Sequence, residues 1–444
     1  MNIRSFFPGL AIAAFLISPV VCAAQMGSLR AGAAKVDISP TKDMFPFTSE
    51  RTYGSIHDPI YARALVLDNG SMKVAFISMD LVEVVGGDDL VKAVTDELKI
   101  PREHLILNAT HDHNAPGPGG GQVTKQIEPW YAIFKKGVVE AARQANANLQ
   151  PARIGFGTGK AYVNTNRDEK IGEGYHMGYA PEGPSDKTVA VIEVTNASGD
   201  PIAIYANYAV HGVVMFLTHT QDGQMQITGD LPGWTSNYVE GHFKNAVALW
   251  TPGAAGDQNP IFMGDYNQDA PDVHDEGAAA WAILDVESRR LGEEIVRVTR
   301  NIQNTTDRVV LWGAQTSVTC PGQVRADPPK PGVPNSGSLK MIDGDPVKIP
   351  LALVMVNDIA VAGVSGEVFT EIGQHVKQQS LFDHTIMVTL LPNREGYIPS
   401  DAAYLLPSQM AVTNRLKPGC AEPAIIGAFE EMETQYLPVW KAAH

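Results

Sequence analysis

Short apolar runs of strand length alternate with segments of helical spacing along most of this chain, and that alternation leaves few architectures open. Residues 62–68 and 74–78 read as adjacent buried strands around the turn Asn69-Gly70. Residues 88–98 set Leu90, Val91, Val94 and Leu98 at helical spacing before Pro101 stops the pattern. A strand at 105–110 then runs into the Gly/Pro-rich loop HDHNAPGPGGG, and a second amphipathic helix follows at 131–147. Further on, strands are expected at 189–194, 202–210, 246–250, 351–356, 359–364 and 385–390. Helices are expected between them at 231–240, 278–299 and 369–378. This pattern predicts an α/β fold, with layered β-sheets flanked by helices.

Composition narrows the function classes. Of the 444 residues, 44% are hydrophobic and 19% charged, the balance of a globular chain with a full core. The net charge of −15, without any Lys/Arg cluster, excludes a nucleic-acid partner. Residues 1–24 read as a signal peptide: Arg4, an apolar stretch from 6 to 21, and the small residues Ala23-Ala24. That stretch is short for a spanning helix and holds Pro8 and Pro19, and no other stretch is apolar enough to cross a bilayer. The expected product is an exported protein, periplasmic or secreted, with residues 25–444 as one catalytic domain. Its two cysteines, Cys320 and Cys420, fit a disulfide or two buried thiols equally well.

Several residues of catalytic type stand just after predicted strands. His111-Asp112-His113 follows the strand at 105–110, and in an extended backbone the two imidazoles project to one side and present nitrogens to a metal. His211 follows 202–210, Glu367 follows 359–364, and Tyr397 comes soon after 385–390. Ligands of open α/β sheets bind outside strand ends, so the shared placement carries more weight than any single residue. An ordinary turn with surface histidines, or a structural His211, remains the plainer alternative. The acidic stretch from Asp265 to Glu276 lacks the glycine a calcium loop needs and reads as a solvated loop. Residues 117–121 lack the helix and acid of a dinucleotide fingerprint. Phe216, Leu217, Met225, Trp234, Phe262 and Tyr266 are candidates for an apolar acyl pocket, though such residues are more often core.

The blocks AGAAKVDISP, HDPIYARALVLDNGSMKVAFISMDL, NATHDHNAPGPGG, NYAVHG, GAAGDQNP, SGEVFTEIG and REGYIPS, in this order, resemble the catalytic domain of neutral, non-lysosomal ceramidases. The resemblance implies zinc as cofactor, held by His111, His211, Glu367 and Tyr397. It places His113 beside the zinc-bound water as a catalytic group rather than a ligand, and Arg167 in the active site. The implied reaction is hydrolysis of an N-acyl amide by zinc-activated water, whose pKa falls from about 15.7 to roughly 7. His113 would pass the proton, while Tyr397 would help hold the oxyanion. A lipid or other small molecule is the implied partner, reached by transient contact with a membrane surface and without an obligatory protein partner. Two departures stand out. Asn259 occupies the place of a family serine, and asparagine is no nucleophile. A second active-site tyrosine of the family has no counterpart, Tyr404 being nearest. The family's C-terminal immunoglobulin-like domain is also not expected in this sequence. An ester, lactone or glycoside hydrolase, or an inactive binding homologue, is the alternative.

Overall fold

The structure, a computed structural model, describes residues 25–117, 121–172, 174–266, 274–326, 340–406, 408, 410–411 and 414–443. The expected signal peptide and the centre of the acidic stretch, residues 267–273, lie outside them.

The first half of the chain builds β1 (Arg30–Asp37), β2 (Tyr61–Asp68), β3 (Lys73–Met79), α1 (Gly87–Leu98), β4 (Leu105–Ala109) and α2 (Glu128–Ala147). Then come β5 (Gln150–Lys160), β6 (Asn164–Ile171), β7 (Gly174–Ala180), β8 (Thr188–Asn196), β9 (Pro201–Tyr208), α3 (Asp230–His242), β10 (Val247–Pro252) and β11 (Gln258–Pro260). The remainder adds α4 (Ala280–Asn301), β12 (Leu311–Arg325), β13 (Met341–Val356), β14 (Ile359–Val364), β15 (Glu367–Val368), α5 (Thr370–Gln379), β16 (His384–Val388), β17 (Tyr397–Ile398) and α6 (Ala421–Ala443).

The larger sheet runs in the order β10-β9-β8-β5-β1-β2-β3-β4, with residues 305–306 pairing on β5. The second runs β12-β13-β14-β16. Alternate residues of each strand enter different cores because successive side chains point to opposite faces. In β2, Ala62, Ala64 and Val66 pack with α1 and α2, while Leu65 and Leu67 pack with Val354, Val361 and Ile386 of the second sheet. Leu351, Leu353 and Met355 face α5 and α6 instead. On the other half of the larger sheet, α3 and α4 cover Val191, Ile204 and Trp250. The result is four layers, helices–sheet–sheet–helices, as the alternation predicts.

Within the two sheets, three strand pairs are parallel, β3 with β4, β9 with β10, and β14 with β16. Each pair is bridged by a helix, α1, α3 or α5. Parallel neighbours require such crossovers, and their carboxyl ends are where ligands of α/β sheets bind.

Elements that escape the sequence pattern include β5, the β6–β7 hairpin, β12 and α6. Glycines at 155, 157 and 159 break up the apolar signal of β5, yet they are there for packing. A Cβ at any of them would come within 3 Å of α4 or the chain just after it, at Ile302 or Glu294. Cys320 of β12 and Cys420, just before α6, form a disulfide.

Helix α4 buries Glu287 completely, with Arg290 3.7 Å away and beyond hydrogen-bond reach. Burial outweighs that charge and pushes the Glu287 carboxyl up to about 7. The folded pKa lies above the unfolded one, so the native state loses stability as pH rises from the ordinary carboxylate range through 7. Glu287→Gln is therefore expected to stabilise the protein by about 1–2 kcal/mol at pH 8 and by much less at pH 5. Urea unfolding at the two pH values checks this, and an equal gain at both would refute the buried charge as its cause.

Candidate functional site

The carboxyl ends of β4, β9 and β14 meet at one place, and the chain's backbone hydrogen bonds explain why. After β4, the amides of Thr110 and His111 continue the ladder to the carbonyls of Met79 and Leu81 at 2.8 and 2.9 Å. His111 then takes a left-handed conformation (φ 70°), rare outside glycine and a mark of strain held by its surroundings. That turn lets Asp112 bridge to Gly212 and His113 donate its amide to the Gly212 carbonyl at 2.9 Å. The HDH segment is thus tied to the end of β9, beside His211. From the second sheet, β15 pairs in parallel with β17 so that Glu367 lies directly opposite Tyr397.

The six residues expected from the sequence converge. The rings of His111 and His211 lie 4.1 Å apart, those of His111 and His113 4.6 Å. The extended backbone expected for the HxH pair is not observed. The two imidazoles share a side because the left-handed residue turns the chain. The Arg167 guanidinium sits over the Tyr397 ring, 5.3 Å from its centroid.

Hydrogen bonds fix the state of the imidazoles. Nδ1 of His111 is 2.9 Å from the Val82 carbonyl, and Nδ1 of His211 is 2.9 Å from the Gln258 carbonyl. A carbonyl only accepts, so each Nδ1 carries a proton, and in the neutral ring that leaves the lone pair on Nε2. Burial, with the Arg167 charge alongside, pushes His211 down to about 3, which keeps it neutral. The two Nε2 atoms lie 3.2 and 3.3 Å from Oε2 of Glu367. That oxygen is buried and has no hydrogen-bond partner. The Arg394 guanidinium, 2.6 Å from the other oxygen, keeps the carboxyl ionised despite its burial. Two imidazole nitrogens and an unpartnered carboxylate oxygen thus converge on one point, with Nη1 of Arg167 3.4 Å from Nε2 of His211. Such an arrangement is costly unless a cation sits among them.

His113 completes the cluster. Its Nε2 is 3.5 Å from that of His111, and ligating nitrogens of His111, His113 and His211 all lie within 4.8 Å of one another. Unlike the other two it is partly exposed. The Tyr397 hydroxyl contacts both Arg167 and Glu367, and burial, despite the Arg167 charge, pushes it up to about 12.

Arg167 is anchored rather than swinging. Nη2 donates to the Gly256 carbonyl at 2.6 Å and Nη1 to Oδ1 of Asn259 at 3.3 Å. Its Nε is buried without a protein partner. Asn259, at the family's serine position, is thus engaged with Arg167 and with the Met263 sulfur.

Sequence reasoning missed Arg394, which donates from Nη1 to Oε1 of Glu367 at 2.6 Å, and Glu83, 3.2 Å from its Nε. Arg394 stands in a quoted block and Glu83 two residues beyond one, but nothing in spacing or composition separates them from ordinary surface charges. Of the six candidate pocket residues, Phe216 alone is seen at the site, edge-on to His113 at 5.2 Å. Met225 and Leu217 belong to the core under α1 and α2, Trp234 packs with α3 and α4, and Phe262 is exposed. Of Tyr266 only the backbone, in a short strand, is described.

The family description "neutral/alkaline non-lysosomal ceramidase, N-terminal" matches residues 35–274. The chain belongs to this family. The matched span contains His111, His113, Arg167 and His211, while Glu367 and Tyr397 lie beyond it. Among ceramidase relatives, neutral ceramidase of Pseudomonas aeruginosa is 24% identical over 235 residues, 46% of this chain and 34% of that protein. Neutral ceramidase A of Dictyostelium discoideum is 24% identical over 221 residues, 44% of this chain and 29% of that protein. The aligned stretch thus spans about a third of either relative. A ceramidase complexed with C2 shares the fold at a TM-score of 0.70 and 16% identity, over 93% of this chain and 75% of that one. The crystal structure of the P. aeruginosa neutral ceramidase gives 0.68 at 17% identity, over 91% and 73%. The ceramidase fold therefore extends through the second sheet, where sequence similarity has faded.

Proposed function

We propose that this ceramidase-family chain is an exported zinc-dependent hydrolase that cleaves the N-acyl amide bond of a ceramide-like lipid or related amide. One observation carries it: two imidazole nitrogens lie 3.2 and 3.3 Å from one unpartnered, buried carboxylate oxygen. Nitrogen and oxygen donors around one point fit zinc. His111, His211 and Glu367 would hold it, with the Tyr397 hydroxyl beside Glu367 as the fourth ligand. His113 satisfies the same distances, but its partial exposure gives it solvent as a partner, whereas Oε2 of Glu367 has nothing else to neutralise it. When bound, zinc supplies a Lewis acid that makes water a nucleophile near neutral pH.

The remaining residues divide the work. His113, half-buried beside His111 and His211, accepts a proton and returns it to the leaving amine. Arg167, anchored on both Nη atoms, keeps its buried Nε–H to donate to an oxygen of the substrate. Tyr397, protonated, donates to the oxygen on which charge develops. The Cys320–Cys420 disulfide supports export, since such bonds persist in oxidising compartments. That both sheets contribute to the site supports residues 25–444 as a single catalytic unit.

Asn259 favours a second reading, hydrolysis of an ester, lactone or glycoside with the same centre, because its amide reshapes the substrate side of Arg167. The binding-protein alternative has less support, as His113 and Tyr397 both keep positions useful for proton transfer.

The test has two parts. Metal analysis of the purified protein is expected to give about one zinc per chain. Incubation with a labelled short-chain ceramide is expected to release the fatty acid. Zinc without ceramide turnover, together with cleavage of another amide or an ester in a panel, would move the function to the second reading. Protein free of zinc at full stability would sink both.

A further inference from the structure

Arg394 lies between β16 and β17, and Glu83 lies between β3 and α1. Neither has a role in the reaction proposed above, yet they form a chain of contacts ending on Glu367. Nη1 of Arg394 donates to Oε1 of Glu367 at 2.6 Å, and its Nε meets Oε2 of Glu83 at 3.2 Å. Both carboxylates are buried, and the guanidinium between them is only 23% exposed. The fork geometry of arginine matters here, because Nη1 and Nε point in fixed and different directions and can each hold one carboxylate. Glu367 has two chemically equivalent oxygens. Arg394 occupies one, and the other is left facing the imidazoles of His111 and His211. A carboxylate without that brace is free to rotate, chelate through both oxygens or swing away from the imidazoles.

We propose that Arg394, itself held by Glu83, is a positioning residue that fixes Glu367 as a one-oxygen metal ligand. The inference rests on the metal site proposed above. Partners of this kind tune metal affinity without touching the ion, and their loss typically costs about 10–100-fold. The other side of Arg394 lines a polar cleft of about 630 Å³ with Glu83, Asn393 and Tyr131. The brace therefore sits between the metal centre and solvent, where it also limits water's access to Glu367.

Zinc affinity provides the test, measured by competition with a chelator on metal-free protein, alongside the melting temperature of the metal-free form. Arg394→Met is expected to weaken zinc binding by about 10–100-fold while the metal-free melting temperature changes little. Arg394→Lys should recover only part of the loss, because one ammonium cannot hold both carboxylates in the same geometry. Glu83→Gln, which keeps shape but loosens Arg394, should weaken zinc in the same direction by a smaller factor. Wild-type affinity in folded Arg394→Met overturns the proposal, as does a loss of affinity that only tracks a fall in metal-free stability. If Arg394→Met does not fold, Glu83→Gln decides by the same criteria. A wild-type protein that takes up no zinc would instead sink the functional reading beneath it.

Discussion

His211→Ala is expected to yield a folded protein that retains almost no zinc and loses activity by about a thousandfold or more. The size follows from the several kcal/mol that a Lewis acid contributes, at roughly 1.4 kcal/mol for each factor of ten. Folding should survive because the substitution removes one of the two imidazoles that face the unpartnered carboxylate oxygen. His113→Ala should behave differently. Its ring is partly exposed and is assigned to proton transfer, so zinc content should stay near one per chain while kcat falls by about 10²–10⁴-fold. Metal analysis beside steady-state kinetics separates the two variants. Equal loss of zinc and activity in His113→Ala would make it a ligand, and full zinc in His211→Ala would remove the site as drawn.

The second large effect concerns the covalent link. The Cys320–Cys420 bond spans 100 residues and encloses Glu367, Arg394 and Tyr397. Closing a loop of that length stabilises a protein by up to about 4.7 kcal/mol through the entropy of the unfolded chain. The double variant Cys320→Ser/Cys420→Ser is expected to lose about 2–5 kcal/mol in urea unfolding. Protein that still folds should bind zinc normally, since no ligand touches either cysteine. An unchanged unfolding midpoint would show that packing of β12 against α6 already holds this region without the bond.

Why these residues were visible at all has a physical answer. Strands buried on both faces carry continuous apolar runs, and the expected strand at 359–364 coincides with the observed β14. His211 and Glu367 stood out because polar residues immediately after such runs are unusual. The strands β6 and β12 hid because half or more of their residues meet solvent and read as loops. Arg167 sits on β6, and only the family resemblance picked it out. The convergence itself was not legible. It depends on a left-handed His111, on the bridge from Asp112 to Gly212, and on the pairing of two-residue strands that sets Glu367 opposite Tyr397. Arg394 was beyond reach for the same reason, since its importance lies entirely in which carboxylates happen to flank it. Likewise the two cysteines gave no hint of their separation.

The three residues proposed to hold the metal come from different layers, His111 and His211 from the ends of the larger sheet and Glu367 from the end of the smaller. The distance between them is thus set by the thickness of the side chains sandwiched between the sheets, among them Phe76 and Tyr205, whose rings meet edge-to-face at 5.2 Å. That interior works as a spacer for the proposed site. A residue trimmed or enlarged deep in this stratum changes the gap between the two imidazoles and the carboxylate as directly as a change to the backbone that carries them would.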